Sequence, residues 1–216
     1  MAAGHLEEGK ALLWDLDPEG EFDDRITEQT EAEVARRMRR FRFVPEEEHR
    51  RRAQWQFTQE ALRNNTDRND WACLKATEEI ADGQSVLMLV HAIEHGEELA
   101  SRIPDALLVY SRIGAKKRAE RIRAFKAGEL KCLVATSLAD EGLDVPCASR
   151  LILVAGGRSA GKLEQRAGRV LRPFEGKVGG IIHDFLDRGA RLANAQAWAR
   201  IRVYKSLGYS PEIVNR

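Results

Sequence analysis

From Gly83 onward, short apolar runs alternate with stretches of helical composition. The runs are SVLMLVH (85–91), ALLVYS (106–111), LKCLVATS (130–137), RLILVAG (150–156) and VGGIIHDF (178–185). Each is nearly continuous in apolar residues, the pattern of strands buried on both faces. Between them, EHGEELASRI, AKKRAERIRAFKAG and AGKLEQRAGRV read as helices. The alternation predicts right-handed crossovers and a doubly wound, mostly parallel α/β sheet over residues 83–186. Ligand sites of such sheets lie outside the carboxyl ends of the strands.

The chain ahead of this block reads differently. Residues 29–82 predict a helical linker or accessory segment. Pro45 suits a first helical turn, Glu46, Glu47 and Glu48 favour the positive end of its dipole, and Trp55, Phe57 and Leu62 supply apolar contacts. A further helix over 67–81 sets Trp71, Leu74 and Ile80 near one face, and Asp82-Gly83 stops it. Residues 1–28 lack periodicity and predict an acidic, poorly structured arm. Residues 187–216 predict a C-terminal helix, carrying Leu192, Trp198, Ile201 and Tyr204, that packs on the core.

Composition narrows the setting. No apolar run approaches the roughly 20 residues a bilayer requires, and the start MAAGHLEEGK lacks a cationic segment followed by an apolar one. Cys73, Cys132 and Cys147 are odd in number and far apart, which argues against a disulfide framework or a zinc site and for a cytoplasmic setting. The net charge of +1 hides an asymmetry: residues 1–33 hold eleven acidic and two basic side chains, and residues 81–216 hold 22 basic and 15 acidic. A basic second part suits a polyanionic partner, although an ordinary solvated surface has the same composition.

Two segments carry candidate chemistry. LVATSLADEGLDVP (133–146) leaves a predicted strand, and QRAGRVLRP (165–173) follows the next one. In the second, Arg166, Arg169 and Arg172 recur every three residues, so a helix would array three guanidiniums along one side. Their planar forks match phosphate oxygens. A solvated basic helix would show the same spacing. Thr136 also suits a helix cap, and Asp144 before Val145-Pro146 also suits a turn. His91 fits a core or edge position as well as a ligand contact, and the run Lys116, Lys117, Arg118, Arg121 and Arg123 fits a solvated face.

Taken together, these segments resemble the second RecA-like lobe of superfamily 2 helicases, especially the bacteriophage and XPB-like DNA helicases and translocases. Ala135, Thr136, Ser137, Glu141, Gly142, Asp144 and Pro146 match the ATSxxxEGxDxP pattern of motif V. Gln165, Arg166, Gly168, Arg169 and Arg172 match the QRxGRxxR pattern of motif VI, and SVLMLVHAIEHGEELA looks like motif IV. Tyr110-Ser111 departs from the His-Gly or Ser-Gly pair of many relatives. The resemblance implies a RecA-like C-terminal lobe in which Arg169 and Arg172 contact the γ-phosphate of ATP across an interlobe cleft. Gln165 and Arg166 would orient that network, and Asp144 would accept a hydrogen bond from the ribose. Thr136 and Gly142 would face the nucleic-acid backbone. It further implies DNA as partner, with RNA as the alternative, and a cytoplasmic location, in a host cell if the source is a phage.

A motor of this kind also needs a G-x-x-x-x-G-K-[ST] loop for the phosphates and an acidic pair for Mg²⁺. The pairs Gly9-Lys10, Gly161-Lys162 and Gly176-Lys177 are followed by Ala, Leu and Val, and no strand-borne Asp-Glu pair is present. The expectation is therefore half a motor, sharing ATP with Mg²⁺ with an absent first lobe and not hydrolysing ATP alone. The alternative is a non-catalytic nucleic-acid-binding or interaction module with the same fold.

Overall fold

The computed structural model describes residues 10–15, 22–40, 45–136, 143–154 and 179–215. Seven strands among them form one sheet: β1 (Lys10–Asp15), β2 (Val86–Val90), β3 (Ala106–Val109), β4 (Cys132–Thr136), β5 (Arg150–Leu153), β6 (Ile181–Phe185) and β7 (Ser210–Asn215). Their order is β3-β4-β2-β5-β6-β1-β7, and every pairing is parallel. The continuous apolar runs thus form a sheet covered on both faces. Leu87, Leu89, Leu133, Leu151 and Ile182 pack to one side with Phe125 and Tyr204. Met88, Val90, Val134, Ile152 and Phe185 pack to the other with Trp71 and Leu99.

Six helices among the described residues cover the sheet: α1 (Phe22–Arg40), α2 (Glu46–Arg63), α3 (Thr66–Ala81), α4 (Ile93–Arg102), α5 (Ala115–Lys126) and α6 (Arg191–Ser206). Pro45 immediately precedes α2, and Glu46, Glu47 and Glu48 occupy its first turn. Asn65 caps α3 by accepting a hydrogen bond from the Arg68 N–H at 3.0 Å. The α6 N-terminus is capped from a distance, because Asp23 of α1 accepts the Arg191 N–H at 3.1 Å.

The expected acidic arm over residues 1–28 is corrected in two places. Lys10–Asp15 forms β1, and α1 begins at Phe22. The strand exists because KALLWD has two buried faces: Ala11 and Leu13 are fully buried, and Trp14 packs on Trp71 with ring centroids 4.5 Å apart. Its six residues lie between β6 and β7, where ladder bonds and burial outweigh the polar flanks. The C-terminal stretch is likewise more than a helix, since β7 follows α6 and forms a sheet edge. Pro211, which donates no N–H, is tolerated in such an edge strand. Leu74 also departs from its expected apolar face: it is 51% exposed, whereas Trp71 on the same helix is buried.

Candidate functional site

Because all strands run one way, their carboxyl ends share one edge of the sheet. Thr136 is the last residue of β4 and stands opposite Val90, the last residue of β2. His91 follows directly, so the exits of β2 and β4 lie side by side at the centre of the edge. Thr136 is only 4% exposed, and its hydroxyl sits at the rim of the core. His91 is exposed and meets Trp55 of α2 edge-on, with ring centroids 5.2 Å apart.

Asp144 lies on the segment leading to β5, between the buried Leu143 and Val145. Those neighbours anchor the backbone and leave the carboxylate exposed, where it pairs with Lys126 at the end of α5 at 3.4 Å. Gly142, Gln165, Arg166, Arg169 and Arg172 lie outside the described residues. The basic run on α5 divides: Lys116, Lys117 and Arg123 are exposed, whereas Arg121 donates to the Leu108 carbonyl and ties α5 to β3.

Three buried polar assemblies tie the surrounding helices to the sheet, and the sequence carries a signal for only one of them. Arg68, fully buried, donates to both Asp187 oxygens at 2.9 and 3.3 Å and to the Val154 carbonyl at 3.1 Å. Its guanidinium lies 3.7 Å from the centre of the Phe185 ring. It therefore clamps the exits of β5 and β6 together. Asp184 on the opposite face of β6 accepts from Arg200 at 2.7 and 2.9 Å and from the Tyr204 hydroxyl at 2.7 Å. Burial opposes the Arg200 charge, but Asp184 holds its pKa above the usual range. Burial and the same carboxylate raise the Tyr204 pKa.

The third assembly joins α3 to the sheet. Glu79 accepts from Arg150 at 2.6 Å and from His183 Nε2 at 2.8 Å. Burial resists ionisation of Glu79, but these donors outweigh it and lower its pKa to about 2. Burial lowers the His183 pKa despite Glu79, so the ring is a neutral donor through Nε2. His95 of α4 meets Asn69 Oδ1 at 2.9 Å, and its pKa falls to about 4 through burial and the nearby charges of Arg68 and Arg63. A signal for the Asp184 assembly did exist in the sequence: one carboxylate inside the apolar run IIHDF must find a partner when buried.

An all-parallel seven-stranded sheet among the described residues, covered on both faces and with its carboxyl ends along one edge, defines an α/β lobe of the RecA-like class. Residues 71–173 match the family described as helicase conserved C-terminal domain. Over that stretch the chain is similar to the C-terminal RecA-like domain of superfamily 2 helicases.

Among similar proteins, putative helicase 22 of Sulfolobus islandicus filamentous virus is 36% identical over 104 residues, 46% of this chain and 19% of that protein. The DNA 3'-5' helicase XPB of Kineococcus radiotolerans is 35% identical over 134 residues, 62% of this chain and 24% of that protein. The chain thus spans about a fifth to a quarter of these relatives. In fold, the crystal structure of T4 UvsW matches with a TM-score of 0.64 at 16% identity, over 96% of this chain and 41% of that one. The C-terminal domain of the DEAD-box protein Dbp5 matches with a TM-score of 0.54 at 18% identity, over 71% of this chain and 86% of that one. Among the described residues, no helix is long and apolar enough to cross a membrane.

Proposed function

We propose that this chain is the second lobe of an ATP-dependent DNA helicase or translocase, working with a first RecA-like lobe that carries the phosphate loop. The observation that carries this reading is the common edge at which β2, β4 and β5 end, because the motif IV and V segments run through the ends of β2 and β4 and the motif VI segment follows β5 in the sequence. The exposed Asp144 carboxylate fits a ribose hydroxyl, a group that donates to an oxygen acceptor. ATP with Mg²⁺ would supply the transferable phosphoryl group. Arg169 and Arg172 would stabilise its developing charge, a contribution of about 10³–10⁵ in rate for an arginine finger. Gln165 and Arg166 would hold those guanidiniums in register. Thr136 and Gly142 would meet the backbone of the strand, a contact that positions nucleic acid without reading its sequence.

The test is ATP hydrolysis by the purified chain, with and without single-stranded DNA, and then with a first lobe added. Turnover should stay at background for the chain alone and rise with the partner lobe and DNA. Arg169→Ala or Arg172→Ala should abolish the gain while leaving the fold intact. Undiminished turnover in both variants would remove the finger assignment. Restoration of activity by no first lobe would favour the non-catalytic module.

A further inference from the structure

A cavity of about 590 Å³ opens between α1, α2 and the start of α6. Helix α2 lines it with Arg51 and Trp55, and again with Arg52 one residue on. Arg51 and Trp55 are four residues apart and so share one face of the helix. Arg37 reaches in from α1, and Leu192 and Gln196 close it from α6.

Three observations bear on what this cavity holds. Trp55 is 43% exposed, and its indole touches His91, which stands at the exit of β2. Arg37 is held by Glu33 at 2.7 Å and by Gln56 at 2.9 Å, and Arg52 by Glu48, whereas Arg51 forms no ion pair among the described residues. Gln196 is only 6% exposed, and its buried Oε1 has no hydrogen-bond partner. A buried amide left unpaired is costly, so a group that satisfies it would be bound rather than merely admitted.

Few chemistries answer all three. An apolar helix would cover Trp55 but leave Gln196 unpaired and Arg51 desolvated. An acidic peptide would meet Arg51 but offer the indole no flat partner. A nucleobase has a π-face for Trp55 and a polar edge for Gln196, and its phosphate suits the guanidinium of Arg51. The volume falls within the roughly 300–1,000 Å³ of small-ligand pockets. The position selects a strand over a free nucleotide: a backbone lying across Thr136 passes Val90 and His91 and arrives at Trp55. We propose that this cavity receives one unstacked base of a single-stranded nucleic acid, sandwiched on Trp55, with the adjoining phosphate on Arg51. The proposal rests on the reading of the sheet edge as a nucleic-acid surface and extends that surface onto the helical layer.

The test is titration of the 216-residue protein with a fluorescein-labelled oligothymidylate, followed by anisotropy and tryptophan fluorescence, with thymidine 5′-monophosphate as a parallel ligand. The oligonucleotide should quench tryptophan emission. Trp55→Ala should remove that quenching and weaken binding by about 5- to 150-fold, the range for loss of one base–aromatic stack. Trp55→Phe should retain most of the affinity, and Arg51→Gln should reduce the salt slope by about one. Because Trp55 and Arg51 are exposed, circular dichroism should be unchanged in all three variants. Equal binding by wild type and Trp55→Ala, with Thr136→Val weakened, would overturn the cavity and leave the sheet edge standing. Absence of oligonucleotide binding by the wild type would overturn both. Equal affinity for the monophosphate and the oligonucleotide would make this a free-nucleotide site and overturn the strand.

Discussion

Replacing Arg200 by Met tests whether the buried Asp184 assembly holds α6 to the sheet. In the native chain the Asp184 carboxylate receives two bonds from Arg200, one from Tyr204 and one from the Phe185 N–H at 2.8 Å, and both charged side chains are buried. Met fills much of the arginine stem's volume, so the main loss is electrostatic. It leaves one buried carboxylate with no counter-charge. Removing one partner of a buried pair costs about 3–5 kcal/mol. That is a large share of the roughly 5–15 kcal/mol that holds a folded protein together. For a chain of this size each kcal/mol moves the midpoint by about 2–4 °C, so thermal unfolding followed by circular dichroism should fall by about 6–20 °C. The double variant Asp184→Asn/Arg200→Met removes the orphaned charge and should recover much of the loss, as a coupled pair requires. An Arg200→Met midpoint within about 2 °C of wild type, worth less than about 1 kcal/mol, would refute the assignment of Arg200 as the essential counter-charge.

Three further perturbations follow from named contacts. His95 has a folded-state pKa of about 4 against 6.5 when free, so the unfolded chain binds its proton more readily. Stability should be level above pH 6.5 and decline as pH falls towards 4, by up to about 1.4 kcal/mol per pH unit. Urea unfolding of His95→Gln should lack that decline, and an unchanged profile would exclude His95 as its source. Glu79 acts lower on the scale. Its pKa of about 2 against 4.5 means that its contribution is complete above pH 4.5 and disappears as pH drops towards 2. Glu79→Gln should therefore be less stable than wild type at neutral pH and nearly equal to it near pH 2, as measured by chemical denaturation. At Gly96, an added Cβ would lie 2.6 Å from Leu108 Cδ1 and 3.0 Å from Val90 Cγ2. Gly96→Ala should thus lose about 1–3 kcal/mol to overpacking, partly offset by the roughly 1 kcal/mol that alanine gains in a helix. A net stabilisation in denaturant would show that Leu108 moves aside freely.

The strands from β2 to β6 were legible because each lies in a nearly continuous apolar run, the pattern that burial on both sides imposes. β1 was not, because its apolar run ALLW stands alone among polar and acidic flanks, away from the strand-helix alternation, and β7 was hidden by Pro211 and Glu212 in a short edge segment. Of the candidate site, Thr136 and Asp144 could be found by motif, and the structure adds where they stand: one at the rim of the core, one on an exposed turn. The Arg68 and Glu79 assemblies were beyond sequence reasoning for a different reason. Arg68 and Asp187, or Glu79 and His183, are more than a hundred positions apart, and no local pattern pairs side chains across such a distance. Trp55 was legible as an apolar helical residue, but its exposure became visible only once α1, α2 and α6 were placed around it.

The insertion of β1 between β6 and β7 has a consequence for the order in which the chain can fold. Lys10 pairs with Ile181 on one side and with Ser210 on the other, so both ladders of this strand await partners made far later in synthesis. Until then an apolar strand with two open edges must be carried on the nascent chain, the kind of segment that pairs promiscuously between molecules. Pairings this distant in sequence are also the slow ones to form. The β2–β5 block can assemble early from nearer contacts. The closing event is then the docking of β1 beside β6, which creates the one neighbour β7 has among the described strands and so decides when α6 settles over the finished core.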